Sequence, residues 1–535
     1  MRWIGGDPQP MLKRLNYLTH RWIGIVLGIL VLVWFASGIV MMYYPYPELT
    51  ESQQLALLRA YEPPDNLIGF ARAVAAHDRW VRQRPATEQN GAAPPAAATA
   101  DVITARLQLW DDHLVYRLAA DSPRRPRDLG VVDARTGAVL TPLAPETAAR
   151  VARAVVGPLA PLERVELLPQ SDHYFMGNEQ RSSFPVYRVR FGDRAGSAVY
   201  VSQQSGAIPA VVTRLTRVTT WLGTVPHWLY FMWLYYDHPA AWTWLNLVLP
   251  GIAVGLALTG IILGLYQLFP RRWRGEWRVS GYHGMSLWHH VAGVVFGVLV
   301  LTWSLSGLLE IPGVYNDPQP GQAARARGGG LHWTEIRVPE RAAWARLRQF
   351  APPPVVPKAI DLSQLGGRLG YTFLLADGRS YWVDASSGVP RGDLTPEEVT
   401  RVARQALGFA APVSRVERVS QYDTYYYARH GREKHLPAWR VGFDDPQHSV
   451  LYFDTINGTP TGFVDAATRS WRWWRDALHD LDLPALNNRR PWWDLIVLPL
   501  MVGGTISAIT GVWLLVRRLR RMTLAELQRQ AGVSR

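Results

Sequence analysis

Four apolar runs frame this 535-residue chain: Ile23 to Tyr44, Trp244 to Phe269, Val291 to Ile311 and Trp492 to Val516. Each reaches the roughly 20 helical residues that a hydrocarbon core of about 30 Å requires. Asp, Glu, Lys and Arg are missing from their central turns, and only Asp494 stands near the entrance of the last run. The mean hydropathy of −0.06 averages this clustering away. The first run ends in Met41-Met42-Tyr43-Tyr44-Pro45, without a small-residue cleavage pattern, and it exceeds the apolar region of a signal peptide. It is expected to remain as a membrane span. The 24 Trp fit the same frame, because amphipathic rings collect at membrane interfaces.

Basic flanks set a direction, since cytoplasmic loops carry the Lys/Arg excess. Arg2, Lys13, Arg14 and Arg21 precede the first run; Arg271, Arg272, Arg274 and Arg278 lie between the second and third; Arg517, Arg518, Arg520 and Arg521 follow the fourth. Arg475, Arg489 and Arg490 run against this direction but are outnumbered. The organisation predicted is a cytoplasmic N-terminus (1–22), spans at 23–44, 244–269, 291–311 and 492–516, a cytoplasmic loop (270–290) and a cytoplasmic tail (517–535). Two large extracytoplasmic domains, 45–243 and 312–491, fill the rest. The formal charge is +14, which suits attraction of an anionic ligand.

The chain also repeats itself. His20-Arg-Trp-Ile-Gly24-Ile-Val-Leu-Gly28 matches His289-His-Val-Ala-Gly293-Val-Val-Phe-Gly297, and Trp34, Ser37 and Gly38 match Trp303, Ser306 and Gly307. Further on, Val132-Asp133-Ala134 with Gly137 matches Val383-Asp384-Ala385 with Gly388, and Pro185-Val-Tyr-Arg188-Val matches Pro437-Ala-Trp-Arg440-Val. Tyr200 to Gly206 matches Tyr452 to Gly458, His227 matches His479, and Thr259-Gly260 matches Thr510-Gly511. The Ala/Pro-rich stretch Pro85 to Ala100 absorbs the change in spacing between early and late matches and reads as a flexible loop. Each repeat comprises span, outer domain and span, so both copies point the same way and are related by a twofold axis along the membrane normal. Corresponding residues then face each other at equal depth. Alternating runs such as Val186 to Phe191, ended by Asp-x-x-x-Gly or Ser-x-x-x-Gly turns, predict antiparallel hairpins, with helices over Thr147 to Val155 and Pro396 to Leu407. The fold class expected is a membrane α+β protein, with an α+β unit present twice in each outer domain.

The chain has no cysteine. Disulfides, thiolate zinc sites, iron–sulfur clusters, thiolate-ligated haem, covalent haem attachment and a cysteine nucleophile are therefore excluded. Metal chemistry must rest on His, Met, Tyr, carboxylates or a non-covalent cofactor. Of the 14 His, the repeat pairs four: His20 with His289 at the cytoplasmic entrances of the first and third spans, and His227 with His479 outside the second and fourth. His20, Gly24 and Gly28 share one helical face, as do His289, Gly293 and Gly297. A flat porphyrin ligated by imidazole needs such a hydrogen-only surface beside it; close helix packing through G-x-x-x-G explains the same glycines without the His. His290 and His283 are rival ligands. The aromatic run from Trp228 to Tyr236 suits either the wall of a second haem or an ordinary aromatic belt. Tyr422 to Tyr427, matched by Asp172-His-Tyr174-Phe175, reads as either a ligand surface or a packed strand.

The span entrances His20-Arg-Trp-Ile-Gly24 and His289-His-Val-Ala-Gly293, the Pro-x-x-Arg-Val strands from Pro185 and Pro437, and the Asp-x-x-x-Gly turns at Asp133, Asp384 and Asp454 together resemble the PepSY-associated transmembrane family. That family includes inner-membrane ferric-siderophore reductases of bacterial iron uptake. Ser202 stands where one turn of the pattern has Asp, although the turn residue Gly206 is kept. The resemblance implies four spans in a bacterial cytoplasmic membrane, b-type haem on membrane His (two haems, each bis-His) and periplasmic PepSY-like domains. It implies electrons passed outward, from a quinol or cytoplasmic donor, to a ferric siderophore or another Fe(III) chelate. No nucleic-acid partner is expected. A non-enzymatic PepSY-type binding or regulatory protein is the other reading, in which the His are structural.

Overall fold

The computed structural model describes residues 8–83, 102–110, 112–120, 127–175, 184–268, 271–273, 276–278, 280–309, 321–328, 335–428, 433–486 and 489–533. The Pro85 to Ala100 stretch, Arg2, Arg274 and the expected span ends Phe269 and Ile311 lie outside the described residues. Two compact units divide the chain. One takes Met1–Tyr46, Val218–Tyr315 and Arg469–Arg535; the other takes Pro47–Arg217 and Asn316–Thr468.

The second of these is built on sheets. Its first half supplies β1 (Val102–Trp110), β2 (His113–Ala120), β3 (Arg127–Asp133), β4 (Leu162–Leu168), β5 (Val186–Phe191), β6 (Ala198–Ser202) and β7 (Ala210–Val212). Strands β8 (Arg271–Trp273) and β9 (Glu276–Arg278) form a small hairpin of the other unit. The second half supplies β10 (Pro357–Leu365), β11 (Arg368–Leu375), β12 (Ser380–Asp384), β13 (Pro390–Arg391), β14 (Val413–Val419), β15 (Ala438–Phe443), β16 (Val450–Asp454) and β17 (Pro460–Val464).

The segments 45–243 and 312–491, expected as separate domains, share one sheet. Its order is β13-β12-β11-β10-β1-β2-β3, joined at the centre by antiparallel pairing of β1 with β10 in the register Arg106↔Asp361 and Leu107↔Ile360. A meander leaves an edge of unpaired N–H and C=O groups, and joining the three strands of one half to the four of the other edge to edge satisfies both. Residues 218–243 and 469–491 belong instead with the membrane helices. One face of the joint sheet presents Leu107, Tyr116, Leu118, Ile360, Leu362, Tyr371 and Phe373 to a continuous buried core. Two amphipathic helices supply the other side: Phe70–Gln83 with Phe70, Ala73 and Val74, and Glu340–Phe350 with Ala343, Trp344 and Leu347.

Each half then adds a four-stranded antiparallel sheet, β4-β5-β6-β7 or β14-β15-β16-β17, packed on a helix. Those helices are Pro145–Val156 and Pro396–Leu407, close to the ranges read from the sequence. Thr395 and Glu398 close a capping box on the second, and Gly408, at φ 84, ends it. The Asp turns have one physical form. Asp133 accepts from the N–H groups of Arg135 and Thr136, Asp384 from Ser386 and Ser387, and Asp454 from Ile456 and Asn457. Glycines at φ 75, 72 and 66 complete them. In the fourth turn Ser202 accepts from Ser205 N–H at 3.3 Å and Gly206 stands at φ 64, so a hydroxyl serves where a carboxylate stands elsewhere.

Among the described residues the other unit holds four helices long and apolar enough to cross a membrane: Pro8–Tyr43, Pro239–Gln267, Met285–Leu309 and Trp492–Val533, here the first to fourth membrane helices. The first and third begin well before their apolar runs, which puts His20 and His289 inside helices. The first and third each pack against both the second and the fourth. Leu27, Val31, Phe35 and Ala253 form the buried centre, whereas Val26, Ile29, Val295 and Leu258 are turned outward. An apolar exterior around a thin core is what lipid solvation predicts. Asp and Glu nearly balance Lys and Arg over 47–217 and 316–468, so the basic excess sits with the membrane helices. The sheet unit, expected to attract anions through that excess, does not carry it.

Candidate metal-ligating histidine pairs

His20 projects from the first membrane helix and His289 from the third, with ring centroids 6.3 Å apart and planes inclined by 35°. Each ring is held by a helix other than its own. His20 Nδ1 lies 3.1 Å from the Leu256 carbonyl and 3.3 Å from Thr259 Oγ1, both on the second helix. His289 Nδ1 lies 3.2 Å from the Ser507 carbonyl and 3.2 Å from Thr510 Oγ1, both on the fourth. A carbonyl can only accept, so both Nδ1 atoms carry the proton and both Nε2 atoms keep the lone pair. Two neutral imidazoles with their lone pairs uncommitted form a donor pair for a Lewis acid.

The separation fits a metal between them. A nitrogen bound at about 2.0 Å lies about 1.1 Å from its ring centre, so imidazoles on opposite sides of one metal have centres about 6.2 Å apart. Among the described residues no three His, Asp or Glu side chains are grouped to hold an ion. A bare ion would lack ligands here; a cofactor that carries most of its metal's ligands itself, such as haem, would need only the two imidazoles of His20 and His289.

The second pair is built alike. His227, at the end of the short helix Thr224–His227, places Nδ1 2.9 Å from Ser37 Oγ, and His479 places Nδ1 3.0 Å from Ser306 Oγ. Each serine hydroxyl donates its own proton at 2.6 Å to a carbonyl one turn back, Val33 or Thr302. Each serine is thereby left to accept from Nδ1–H, and again Nε2 keeps the lone pair. Trp34 Nε1 also donates to the His227 carbonyl at 3.1 Å. Burial, and after it the neighbouring His479, lower the His227 imidazole to about 4, which keeps it in the neutral, ligating form at physiological pH. Asp480, next to His479, is bonded by Arg475 at 2.8 Å, and Arg475 also reaches Asp476 at 3.0 Å. At about 1.5 Å per residue, His20 and Ser37 are about 25 Å apart along the first helix. The two pairs occupy opposite ends of the bundle. Phe35 and Trp303, edge-on with centroids 5.4 Å apart, lie between them.

The rival ligands are placed elsewhere. His290 Nε2 is committed to the Gly264 carbonyl at 3.0 Å and its ring meets Tyr282 edge-on, which fastens the third helix to the second. His283 is exposed ahead of the third helix. The four glycines divide: a Cβ on Gly293 would meet nothing within 4 Å, on Gly24 and Gly28 it would touch Leu256 and Val512 at ordinary contact, and on Gly297 it would press Ile261 at 3.1 Å. Close helix packing thus accounts for Gly297, while Gly293 borders open space. The glycines that border the paired His rings are others. A Cβ on Gly260 would come within 2.8 Å of His20 Cε1, and one on Gly511 within 3.2 Å of His289 Cε1. Gly38 and Gly307 stand in the same way beside His227 and His479 at 3.6 Å. Sequence reasoning gave no role to Thr259, Gly260, Thr510, Gly511, Ser37 or Ser306. Their recurrence at matching positions of both halves was the available signal.

The tyrosine-rich stretches are packed. Tyr200 donates to Asp172 at 2.6 Å and Arg188 to the same carboxylate at 2.8 Å; Tyr452 donates to Asp423 at 2.7 Å while Tyr426 stacks on its ring at 4.3 Å. These groups satisfy one another within the sheet unit, as structural members do. No protein-family model matches the chain, and no curated protein is found to be similar to it.

Proposed function

We propose that the protein is a haem-containing membrane reductase that carries electrons across a bacterial cytoplasmic membrane to a ferric siderophore or another Fe(III) chelate outside. The observation that carries this reading is the His20–His289 pair: 6.3 Å between ring centroids, with each Nδ1 tied to a neighbouring helix. His20 and His289 would hold an inner haem b, His227 and His479 an outer one. Bound haem supplies a one-electron carrier whose low-spin iron changes charge with little rearrangement. The chain's own residues do the rest. Thr259, Thr510, Ser37 and Ser306 hold the Nδ1 protons, the small residues Gly260 and Gly511 leave room for the rings, and the apolar exterior keeps the carriers within the bilayer.

In this reading the two halves are a tandem duplication of PepSY type, both termini are cytoplasmic and the sheet unit is periplasmic, where it receives the chelate. A quinol or a cytoplasmic reductase supplies the electrons. Release of iron follows from reduction, because hard oxygen donors hold Fe(II) far less tightly than Fe(III). The test is the spectrum of protein purified in detergent from haem-replete cells. Sharp α and β bands on reduction and about two haems per chain are expected. A colourless preparation would leave a membrane protein whose sheet unit binds a partner without electron transfer.

A further inference from the structure

We propose that two short segments at the end of the bundle that holds the His227–His479 pair, one ending in Trp221-Leu222 and the other carrying Trp473-Trp474, lie in the lipid headgroup layer as a collar that fixes the depth of that pair. Haem plays no part in this; the segments need only the bilayer that the four apolar helices fit. In the helix Arg214–Leu222, Val218, Trp221 and Leu222 share one face and are 55%, 43% and 58% exposed, while Thr219 and Thr220 are buried. The second segment makes the same division more sharply. In the π-helical turn Arg472–Ala477, Arg472 and Arg475 are buried, whereas Trp473 and Trp474 between them are 44% and 60% exposed. Trp221-Leu222 precedes His227 by the same spacing as Trp473-Trp474 precedes His479, so the outward apolar pair recurs with the repeat.

In water a segment turns its charges outward and its indoles inward, because desolvating an arginine is costly and burying apolar area is favourable. Here the order is reversed. Arg475 is held inside by Asp480 at 2.8 Å and Asp476 at 3.0 Å, and Arg472 donates to the Asp482 carbonyl. These contacts satisfy the charges within the unit and leave the apolar side chains facing a solvent other than water. Each segment leads along the chain into a membrane helix, the second or the fourth, whose opening turns also expose an indole, Trp244 or Trp492. A lipid leaflet suits both stretches. Indoles favour its headgroup layer, where the ring meets acyl carbon and the N–H meets polar groups. Five residues separate Leu222 from His227 and Trp474 from His479, about 8 Å of helix. A leaflet that holds the collar therefore holds the outer His pair close to its own boundary.

The chain has no cysteine, so a single introduced thiol can be labelled without background. Leu222→Cys and Trp474→Cys, each made alone in the full chain, carry a nitroxide, and the protein is reconstituted into phosphatidylcholine vesicles. Power saturation of the spin signal then compares collisions with dissolved oxygen, which concentrates in lipid, and with a water-soluble nickel chelate. Val295→Cys, exposed on the third membrane helix, and Leu159→Cys, 94% exposed in the sheet unit, set the lipid and water limits. Both collar labels are expected to fall between those limits. Trp221→Cys and Trp473→Cys repeat the measurement where either of the first variants fails to fold. Nickel accessibility equal to that of Leu159→Cys overturns the proposal, and so does accessibility as low as that of Val295→Cys, which would put the segments in the acyl core. Dipolar broadening that disappears on dilution with unlabelled chain would assign the face to a second copy and overturn it as well. The readout is blind to haem, so its failure leaves the reductase reading untouched, and a colourless preparation leaves the collar untouched.

Discussion

Arg106 of β1 and Asp361 of β10 meet through two parallel hydrogen bonds, Nε to Oδ1 at 2.6 Å and Nη2 to Oδ2 at 2.8 Å, across the line where the two halves of the sheet unit join. Both side chains are about four-fifths covered. A bidentate pair in that setting is stronger than a surface ion pair, and it fixes the β1–β10 register. Arg106→Ala should cost about 1–2 kcal/mol and lower the melting temperature of the detergent-solubilised chain. Asp361→Ala should cost a similar amount, and the double variant little more than either. Strict additivity of the two in a double-mutant cycle would show that the pair does not couple the halves.

Glu340 opens the second core helix as Phe70 opens the first, and it is 1% exposed. The Tyr116 hydroxyl donates to it, and burial holds its carboxyl above the usual glutamate range. A raised pKa means that the folded protein keeps a proton which the unfolded chain has already lost. Stability therefore falls as pH rises from the ordinary glutamate value through the raised one, then levels off. Glu340→Gln, neutral at every pH, should flatten that part of the stability curve while retaining an acceptor for Tyr116. Melting curves of both proteins across pH 4 to 8 check this; parallel curves would mean that Glu340 titrates normally.

Much of this arrangement could be read from the sequence, and the reasons for success and failure are local. The spans were legible because lipid demands an uninterrupted apolar length, and the Asp133, Asp384 and Asp454 turns because a carboxylate that opens a turn and a glycine four residues later make a self-contained motif. The β1–β10 seam was not legible. Each strand's own hairpin explains its alternation equally well, and nothing in Val102 to Trp110 names Pro357 to Leu365 as its neighbour. The His pairs were visible through the repeat, but the groups that hold them were hidden by helical geometry. Thr259 lies far along the chain from His20, and only the packing of the second helix on the first brings them together.

Gly260 and Gly255 make a controlled comparison on one helix. A Cβ at Gly260 would intrude to 2.8 Å from His20 Cε1, whereas one at Gly255 would meet nothing within 4 Å. Gly260→Ala should displace the His20 ring and lower the haem content by about one per chain, and Gly255→Ala should be near neutral or slightly stabilising through higher helix propensity. Pyridine haemochrome assays on the two proteins distinguish them. Equal haem content would mean that the ring moves aside without losing its ligand.

His289 and His290 are adjacent on the third helix but have different partners. His290 spends its Nε2 on the Gly264 carbonyl, while His289 keeps Nε2 uncommitted. His289→Ala should remove the inner haem. His290→Ala should keep it and lower stability by about 1 kcal/mol for the lost hydrogen bond. The reverse pattern of haem loss would reassign the ligand.

In the proposed reductase, electron exit depends on the outer pair. The stretch of first helix between His20 and Ser37 is about 25 Å long, too far for one efficient tunnelling step and comparable to the hydrocarbon core itself. A carrier at His227 and His479 divides that distance. His227→Ala or His479→Ala should each remove one haem per chain, leave the inner haem reducible from the cytoplasmic side and abolish most ferric-chelate reduction. Proteoliposomes of fixed orientation, with reductant inside and a ferric siderophore plus an Fe(II) trap outside, measure all three quantities on one preparation. Unchanged haem content and unchanged Fe(II) production in both variants would leave His227 and His479 as half-buried interfacial residues fastened to Ser37 and Ser306, and the route across the membrane would have to be sought along the Phe35–Trp303 contact instead.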